Sequence, residues 1–153
     1  MKTNLLTIVV FLLSISMLNA QTKTDSLAVD KACRDYVEGW AEGNVERVEK
    51  AVSPELVKRT VGSDSEGINF IDDMSASLLK AATKRNKGGV KIKDLEPGKP
   101  FKLDVTICDI TGDYAMAKAV NTKYGFFDYC QLVKYNGEWK IVNVVWGWLP
   151  TKK

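Results

Sequence analysis

An alternating pattern near the C-terminus constrains this 153-residue chain more than any other feature. Between Phe101 and Trp148, apolar and polar side chains alternate along four segments, as they do in half-buried β-strands. Three short turns containing glycine separate the segments, at Thr111–Asp113, Tyr124–Gly125 and Asn136–Gly137. Asn-Gly strongly favours a two-residue hairpin turn, because both central residues of a type I′ turn need positive φ. The pattern therefore predicts a meander of four antiparallel strands.

The lengths of the turns predict which residues share a face of this sheet. Two turns are expected to contain two residues each, and the turn at Thr111–Asp113 to contain three. These lengths pair Ile107 with Ala117, Asn121 with Asp128, Ala119 with Cys130, Leu132 with Ile141, and Cys130 with Asn143. One face is then mostly apolar, with Phe101, Leu103, Val105, Ile107, Ala115, Ala117, Ala119, Leu132, Trp139, Ile141 and Val145.

The residues before the meander predict three helices that cover this apolar face. The first helix is capped at Asp25–Ser26 and runs to about Glu42, with an apolar stripe that includes Tyr36 and Trp40. A short second helix covers 45–52, and a third begins near Asp72–Asp73 and runs to Thr83. Residues 56–61 are a short strand or irregular, 62–67 are a polar loop, and 84–100 are a solvated connection or, alternatively, a phosphate-binding loop. Three helices on a four-stranded meander make an α+β architecture.

The first twenty residues have the pattern of a signal peptide. A single lysine precedes an apolar run over 5–18, and Ala20 offers a small residue for cleavage. The run is short for a membrane span, which needs about 20 residues, although a retained anchor is the alternative. We expect an exported protein, periplasmic or secreted, with one domain over 21–153 and no membrane attachment after cleavage. The formal net charge of +3 is too small to indicate a nucleic-acid partner.

The content of cysteine and histidine limits the chemistry of the chain. There are three cysteines, Cys33, Cys108 and Cys130, and no histidine. The register directs Cys108 and Cys130 to opposite faces, so a disulfide between them is not expected, and we predict free thiols. Without histidine, Ser-His and Cys-His nucleophiles are excluded, and three scattered cysteines do not make a zinc site. We therefore expect no metal and no cofactor.

Five short segments carry a resemblance to a known family. They are Tyr36–Gly39, Pro54–Arg59, Gly112–Lys118, Phe127–Leu132 and Gly137–Asn143. These segments resemble the putative lumazine-binding family of the nuclear transport factor 2-like (SnoaL-like) superfamily. The resemblance implies a cone-shaped, cystatin-like roll whose curved sheet and helices enclose a pocket, often in a dimer. It brings no catalytic residues to transfer, and the His-Asp pair used elsewhere in the superfamily is absent here.

Polar residues gather at one end of the helix-facing side of the predicted sheet. The register brings Asn121, Asp128 and Asn143 together around Cys130, and buried polar groups must find partners. One interpretation is structural, with Asp128 held by the two amides. The other is the floor of a ligand pocket whose apolar wall is formed by Tyr36, Trp40 and Trp139.

These two interpretations lead to different functions. We predict binding of a small, flat, partly apolar molecule, which the resemblance suggests is similar to lumazine or a pterin. The alternatives are a mainly structural or interaction module and an isomerase or hydrolase that uses Asp128 as general base. One carboxylate without an evident acid is weak support for an enzyme, so binding without catalysis is favoured.

The opposite face of the predicted sheet is also rich in apolar residues. Its members include Tyr114, Met116, Tyr129, Val144, Trp146 and Trp148. A monomer rarely exposes an apolar patch of more than a few hundred Å², and aromatic residues are enriched in interface cores. We therefore predict a homodimer packed sheet to sheet. The alternative is that the C-terminal tail or residues 84–100 cover this face within one chain.

Overall fold

The computed structural model of the protein describes residues 23–89 and 101–150. Within these ranges it contains three helices and one six-stranded sheet. The predicted signal peptide, most of the predicted connection over 84–100 and the last three residues lie outside the described residues. No helix in the described ranges combines the length and apolar character that crossing a membrane requires.

Three helices precede the last four strands, and local signals explain where the first helix ends and where the second begins. Helix α1 covers 23–42 and ends before Gly43, whose φ of 75° suits a glycine C-cap. Helix α2, Val45–Ala51, is capped by Asn44, whose side chain accepts a hydrogen bond from the Arg47 amide at 3.0 Å. Helix α3 is Ala76–Arg85. The predicted C-terminal ends of the first two helices are confirmed to within a residue, but the predicted cap at Asp25–Ser26 is wrong because both residues lie inside α1.

The sheet has two more strands than the sequence pattern predicts. Its strands are β1 Val52–Ser63, β2 Asn69–Ser75, β3 Leu103–Thr111, β4 Tyr114–Asn121, β5 Phe126–Tyr135 and β6 Glu138–Trp148. Their order across the sheet is β2-β1-β6-β5-β4-β3, with β1 parallel to β6 and the other neighbours antiparallel. The four-stranded prediction is therefore wrong in number, although the α+β class and the meander β3 to β6 are confirmed.

The first added strand extends a segment predicted as a short strand or irregular structure, and the second replaces a predicted helix start. Strand β2 includes Asp72 and Asp73, which were expected to begin the third helix. Pairing with β1 keeps this segment extended, and α3 begins only after Ser75, whose hydroxyl accepts a hydrogen bond from the Leu78 amide. Backbone pairing across the hairpin therefore overrides the local capping signal, as tertiary context commonly does.

Turn lengths preserve the predicted faces of β4 and β5 but shift the pairing between these two strands. The turn after β4 holds four residues rather than two, so Asn121 pairs with Phe126 and Ala119 with Asp128. A shift of two residues leaves every side chain on its predicted face. The predicted pairing of Ile107 with Ala117 is confirmed, because a two-residue turn and a bulge at Cys108 together replace the three-residue turn.

An extra residue in β6 reverses the faces of the strand beyond it. Leu132 pairs with Ile141 as predicted, but Gln131 pairs with Asn143, so one residue of β6 is left over. Asn143 therefore lies on the outer face rather than beside Cys130. Val144 is fully buried in the core, and Trp146 also turns inward. The predicted positions of these three residues are wrong for this single reason.

The helices cover one face of the sheet, and the core lies between the two layers. The apolar stripe of α1 is buried there against the three small residues of β4, Ala115, Ala117 and Ala119. Trp139 is buried on the same face, as predicted, and its Nε1 donates to Asp25 Oδ1 at 3.0 Å. On the outer face, the exposed side chains among the described residues include Tyr114, Met116, Tyr129 and Val145.

Candidate functional site

A cavity of about 260 Å³ lies between the helices and the sheet at one end of the core. Helices α1 and α3 and strands β1, β2, β5 and β6 contribute to its wall. The lining residues are Tyr36, Val37, Trp40, Lys58, Met74, Leu79, Ala82, Phe126, Asp128, Trp146 and Trp148. Trp148 is 67% exposed, so the cavity reaches the surface beside it.

Three side chains form the polar floor of this otherwise apolar cavity. Lys58 Nζ lies 2.5 Å from Asp128 Oδ1 and donates a second hydrogen bond to the hydroxyl oxygen of Tyr36 at 2.6 Å. The Tyr36 hydroxyl in turn lies 3.4 Å from Asp128 Oδ1. The Asp128 side chain is 1% exposed and that of Lys58 is 12% exposed. Two opposite charges are therefore held together in a largely dry site, where their attraction is strong.

Strand positions explain how these groups meet. Lys58 lies on β1 two residues after Leu56, which is buried, so alternation directs both inward. Asp128 lies on β5 opposite Ala119, whose small side chain leaves room over the sheet. Tyr36 comes from the buried stripe of α1.

Aromatic rings enclose the lysine ammonium. Its Nζ lies 4.9 Å from the ring centroid of Trp146 and 5.4 Å from that of Tyr36, both within cation–π range. Burial raises the pKa of Tyr36 well above its usual value, and the negative charge of Asp128 raises it further. Tyr36 therefore stays a neutral phenol at neutral pH and keeps a proton to donate.

One oxygen of the floor has no protein partner. Asp128 Oδ2 is buried and accepts no hydrogen bond from the described residues, and the buried Nδ2 of Asn121 donates none to them. Asn121 Oδ1 is occupied by the Tyr124 amide at 2.8 Å. A buried polar atom left unpaired costs about 1–3 kcal/mol. Asp128 Oδ2 is thus a buried acceptor, on a side chain that lines the cavity, for which the described residues supply no donor.

The three cysteines are free, as expected, within the described residues. Cys130 and Cys33 are buried side by side in the core, and Cys108 is exposed. A hydrogen bond with Cys33 raises the pKa of Cys130, and burial raises it further. Cys130 is therefore a neutral thiol and a poor nucleophile.

The structure places the predicted pocket residues in three groups. Tyr36, Trp40 and Asp128 line the cavity. Asn121 and Cys130 are buried on the same face of the sheet but outside the lining. Trp139 and Asn143 lie elsewhere, because Trp139 bonds Asp25 at the other end of the core and Asn143 bonds Gln131 and Arg59 on the outer face.

The sequence pattern missed several lining residues, and the most important of these is Lys58. The sequence pattern predicts a short strand or irregular structure over 56–61, so it does not predict which face of the sheet Lys58 occupies. The alternation from Leu56 to Lys58 was the available signal. The sequence pattern predicts Trp146 and Trp148 on the outer face. That prediction is wrong because the extra residue in β6 has no sequence signature. Among the described residues, no cluster of three or more Cys, Asp or Glu side chains could hold a metal ion.

Comparison with known proteins supplies the family. The model of the family described as putative lumazine-binding matches residues 24–147. The chain belongs to this family. The match spans α1 to the end of β6, so it includes every element that lines the cavity. A search of curated proteins gives no significant match.

Solved structures show the same fold at low sequence identity. A nuclear transport factor 2-like protein of unknown function from Shewanella baltica OS155 is 17% identical, with a TM-score of 0.62 over 84% of this chain and 96% of that one. A nuclear transport factor 2-like protein with a cystatin-like fold from Novosphingobium aromaticivorans is 11% identical, with a TM-score of 0.63 over 89% of each chain. The predicted nuclear transport factor 2-like, cystatin-like fold type is therefore confirmed, and these likenesses establish the fold alone.

Proposed function

We propose that this protein binds a small, flat heterocyclic molecule in the cavity above Asp128. The observation that carries the proposal is the buried Asp128 Oδ2, which has no hydrogen-bond partner among the described residues and belongs to a side chain that lines an aromatic cavity. An acceptor buried at a cost is commonly satisfied by a water or a ligand. A ligand with an N–H group would satisfy it directly.

The cavity walls favour an aromatic ring system of limited size. Trp40 meets Phe126 edge to face with ring centroids 5.9 Å apart, and Trp146 meets Trp148 in the same way at 5.3 Å. Such rings bury large apolar area at low entropic cost. The volume of about 260 Å³ lies just below the range of about 300–1,000 Å³ for drug-sized ligands. One or two fused rings therefore suit it.

The polar floor adds a preferred hydrogen-bonding edge. Asp128 Oδ2 needs a donor, while Lys58 Nζ and the neutral Tyr36 hydroxyl can both donate. A cyclic amide presents an N–H beside a carbonyl and matches this arrangement. Lumazine and related pteridines have such an edge, and membership of the putative lumazine-binding family supports this ligand class.

Binding is tested by titrating the protein with lumazine and following tryptophan fluorescence and heat of binding. We expect Asp128→Asn and Trp40→Ala each to weaken binding, Asp128→Asn by roughly tenfold or more, because a hydrogen bond to a charged group contributes about 1.5–3 kcal/mol. Trp139→Phe is the matched control, since Trp139 lies outside the cavity. Absence of binding to wild type across a panel of pteridines and other bicyclic amides would contradict the proposal.

A second candidate is proton-transfer catalysis with Asp128 as general base, as in an isomerase or hydrolase. The observation in its favour is that Lys58 and Tyr36 place hydrogen-bond donors beside the carboxylate, so the site has both a base and donors for a developing oxyanion. Exchange of the α-protons of 2-tetralone in D₂O, followed by NMR, tests it. Wild type should accelerate exchange and Asp128→Asn should not; equal rates for the two proteins would exclude this candidate.

We also propose export as the cellular setting of this binding function, supported by the apolar leader over 5–18. Fractionation of cells that produce the chain with and without residues 1–20 tests it. The full chain should leave the cytoplasm and the shortened chain should remain.

If wild type binds nothing and both Asp128→Asn and Trp40→Ala unfold, Asp128 and Trp40 serve structure alone, as the structural-module alternative requires.

A further inference from the structure

We propose that Lys58 captures aldehydes or ketones that enter the cavity by forming a protonated imine. The inference rests on the proposed function, because the carbonyl compound must occupy the same cavity. It goes beyond reversible binding, since it assigns a covalent step and a ligand class, flat carbonyl compounds, to this site.

The position of Lys58 suits a nucleophilic amine. It is the one lysine among the described residues that line the cavity, and its side chain is only 12% exposed. A lysine in an apolar pocket is a recurrent nucleophile toward carbonyl groups once it has lost its proton. Here the proton acceptor is already in contact, because Asp128 Oδ1 lies 2.5 Å from Nζ.

The step balances without any further reagent. The Lys58 ammonium passes a proton to Asp128, and the neutral amine attacks the carbonyl carbon while the carbonyl electron pair moves to oxygen. Tyr36 donates its hydroxyl proton to that oxygen and takes back a proton from the new ammonium, which leaves a neutral carbinolamine. Asp128 then returns its proton to the carbinolamine hydroxyl, which departs as water while the nitrogen lone pair forms the C=N bond. The products are one protonated imine and one water.

The surroundings of Lys58 favour this product. The protonated imine keeps its positive charge at the position of the original ammonium, so the ion pair with Asp128 and the cation–π contact with Trp146 are retained. Because burial raises the pKa of Tyr36, its phenol holds the proton that the carbinolamine step requires. The aromatic walls would hold the ring of the bound carbonyl compound and limit the access of water.

The test traps the imine by reduction. Purified protein is incubated with 2-naphthaldehyde and sodium cyanoborohydride, and the modified lysine is located by peptide mass spectrometry. We expect Lys58 to be labelled ahead of surface lysines such as Lys80, which pairs with Glu49.

Lys58→Arg, which retains a cation beside Asp128, should lose the pocket adduct. Tyr36→Phe should slow formation of the adduct on the order of 100-fold, the usual size of a general acid contribution. Lys80→Arg is the matched control and should label Lys58 at the wild-type rate.

A second ligand separates the inference from the function on which it rests. Naphthalene-2-carboxamide has the same shape, but its carbonyl does not react with amines, so calorimetry with it reports occupancy alone. If the carboxamide binds and Lys58 is labelled no faster than Lys80, imine capture is overturned while the binding function stands. If neither compound binds nor labels the cavity, imine capture is overturned, and the titration with pteridines decides the binding function separately.

Discussion

At the residue scale, the cavity depends on an ion pair in an unusual position. Lys58 and Asp128 are both largely removed from water, and a buried pair commonly costs as much in desolvation as it returns in attraction. An apolar pair of similar volume would fill this space at least as stably. The retention of charge here therefore fits a binding role better than a purely structural one.

Removing one member of this pair should be far more harmful than removing both. Lys58→Met leaves the Asp128 carboxylate buried without its cation, and we expect a loss on the order of 3 kcal/mol in the free energy of unfolding. The double variant Lys58→Met with Asp128→Leu should recover most of that loss, because no charge is then left unpaired. Urea denaturation at neutral pH measures both. A double variant no more stable than the single one would show that the pair is not coupled.

Asp25 should give the fold part of its pH dependence. A hydrogen bond from Lys134 lowers the pKa of Asp25 below its usual value of 3.8, and a hydrogen bond from Trp139 lowers it further. A depressed folded-state pKa contributes stability above the unfolded-state pKa, and that contribution disappears as the pH falls through the folded-state value. The loss of stability caused by Asp25→Asn should thus be largest near pH 7 and shrink below about pH 4.

Denaturation at a series of pH values checks this expectation. Asp113→Asn, the same substitution at an exposed turn position, serves as the matched surface control. A stability difference for Asp25→Asn that stays constant from pH 7 to pH 3 would contradict the assignment.

At the element scale, the described strands show which pairings and faces the sequence pattern predicts correctly and which it does not. Period-2 alternation and the Asn136–Gly137 turn were sufficient for the pairing of Leu132 with Ile141. The four-residue turn after β4 changed a pairing without changing a face, because the shift was even. The extra residue in β6 was different, since an odd shift moved Val144 into the core and Asn143 out of it.

The site was predictable only in the part that depends on unshifted elements. Tyr36 and Trp40 follow from helical spacing in α1, and Asp128 from alternation in β5. Alternation from Leu56 indicates the face of Lys58, but the place of its strand beside β6 is a long-range parallel contact that has no local signal. Trp146 depends on a bulge, and bulges are set by how the strands twist against the core rather than by a residue code.

The junction between α1 and α3 offers a test of element packing. Gly43 has a φ of +75°, and a Cβ added there would lie 2.5 Å from the backbone of Asn86. Asn86 Nδ2 in turn donates to the Trp40 carbonyl at 2.8 Å, so the ends of the two helices are tied together here. Gly43→Ala should therefore combine backbone strain with a collision and cost about 2–4 kcal/mol of unfolding free energy.

A second glycine separates these two effects. Gly88 has a φ of +80°, but a Cβ added there meets no atom within 4 Å. Gly88→Ala should show the conformational cost alone, about 1 kcal/mol. Equal losses in the two variants, measured by thermal or urea unfolding, would mean that the contact between Gly43 and Asn86 does not limit the packing of α1 against α3.

At the scale of the whole molecule, the two faces of the sheet have unequal surroundings. Helices and the cavity cover the inner face, whereas the outer face exposes Tyr114, Met116, Tyr129 and Val145. The inward turn of Val144 and Trp146 removes two of the residues first assigned to this face, and Trp148 lies at the cavity instead. Val145, at 54% exposed, joins the outer face in their place.

We propose that this outer face pairs two copies of the chain. Exposed apolar side chains flank Lys118, whose ammonium lies 5.3 Å from the Phe127 ring and 5.1 Å from the Tyr129 ring. Aromatic and aliphatic groups on β4, β5 and β6, bordered by the charged Asp104 and Asp109 of β3, resemble an apolar interface core with a polar rim, and a two-fold axis would let the patch pair with itself. Sedimentation at micromolar concentration should give a dimer, and Tyr129→Glu should give a monomer because it would bury an unpaired charge. Leu27→Glu, an equally apolar-to-charged change on the exposed side of α1, should leave the dimer intact. A wild-type monomer would contradict the proposed dimer. A dimer that survives Tyr129→Glu but not Leu27→Glu would show that the interface lies away from the sheet.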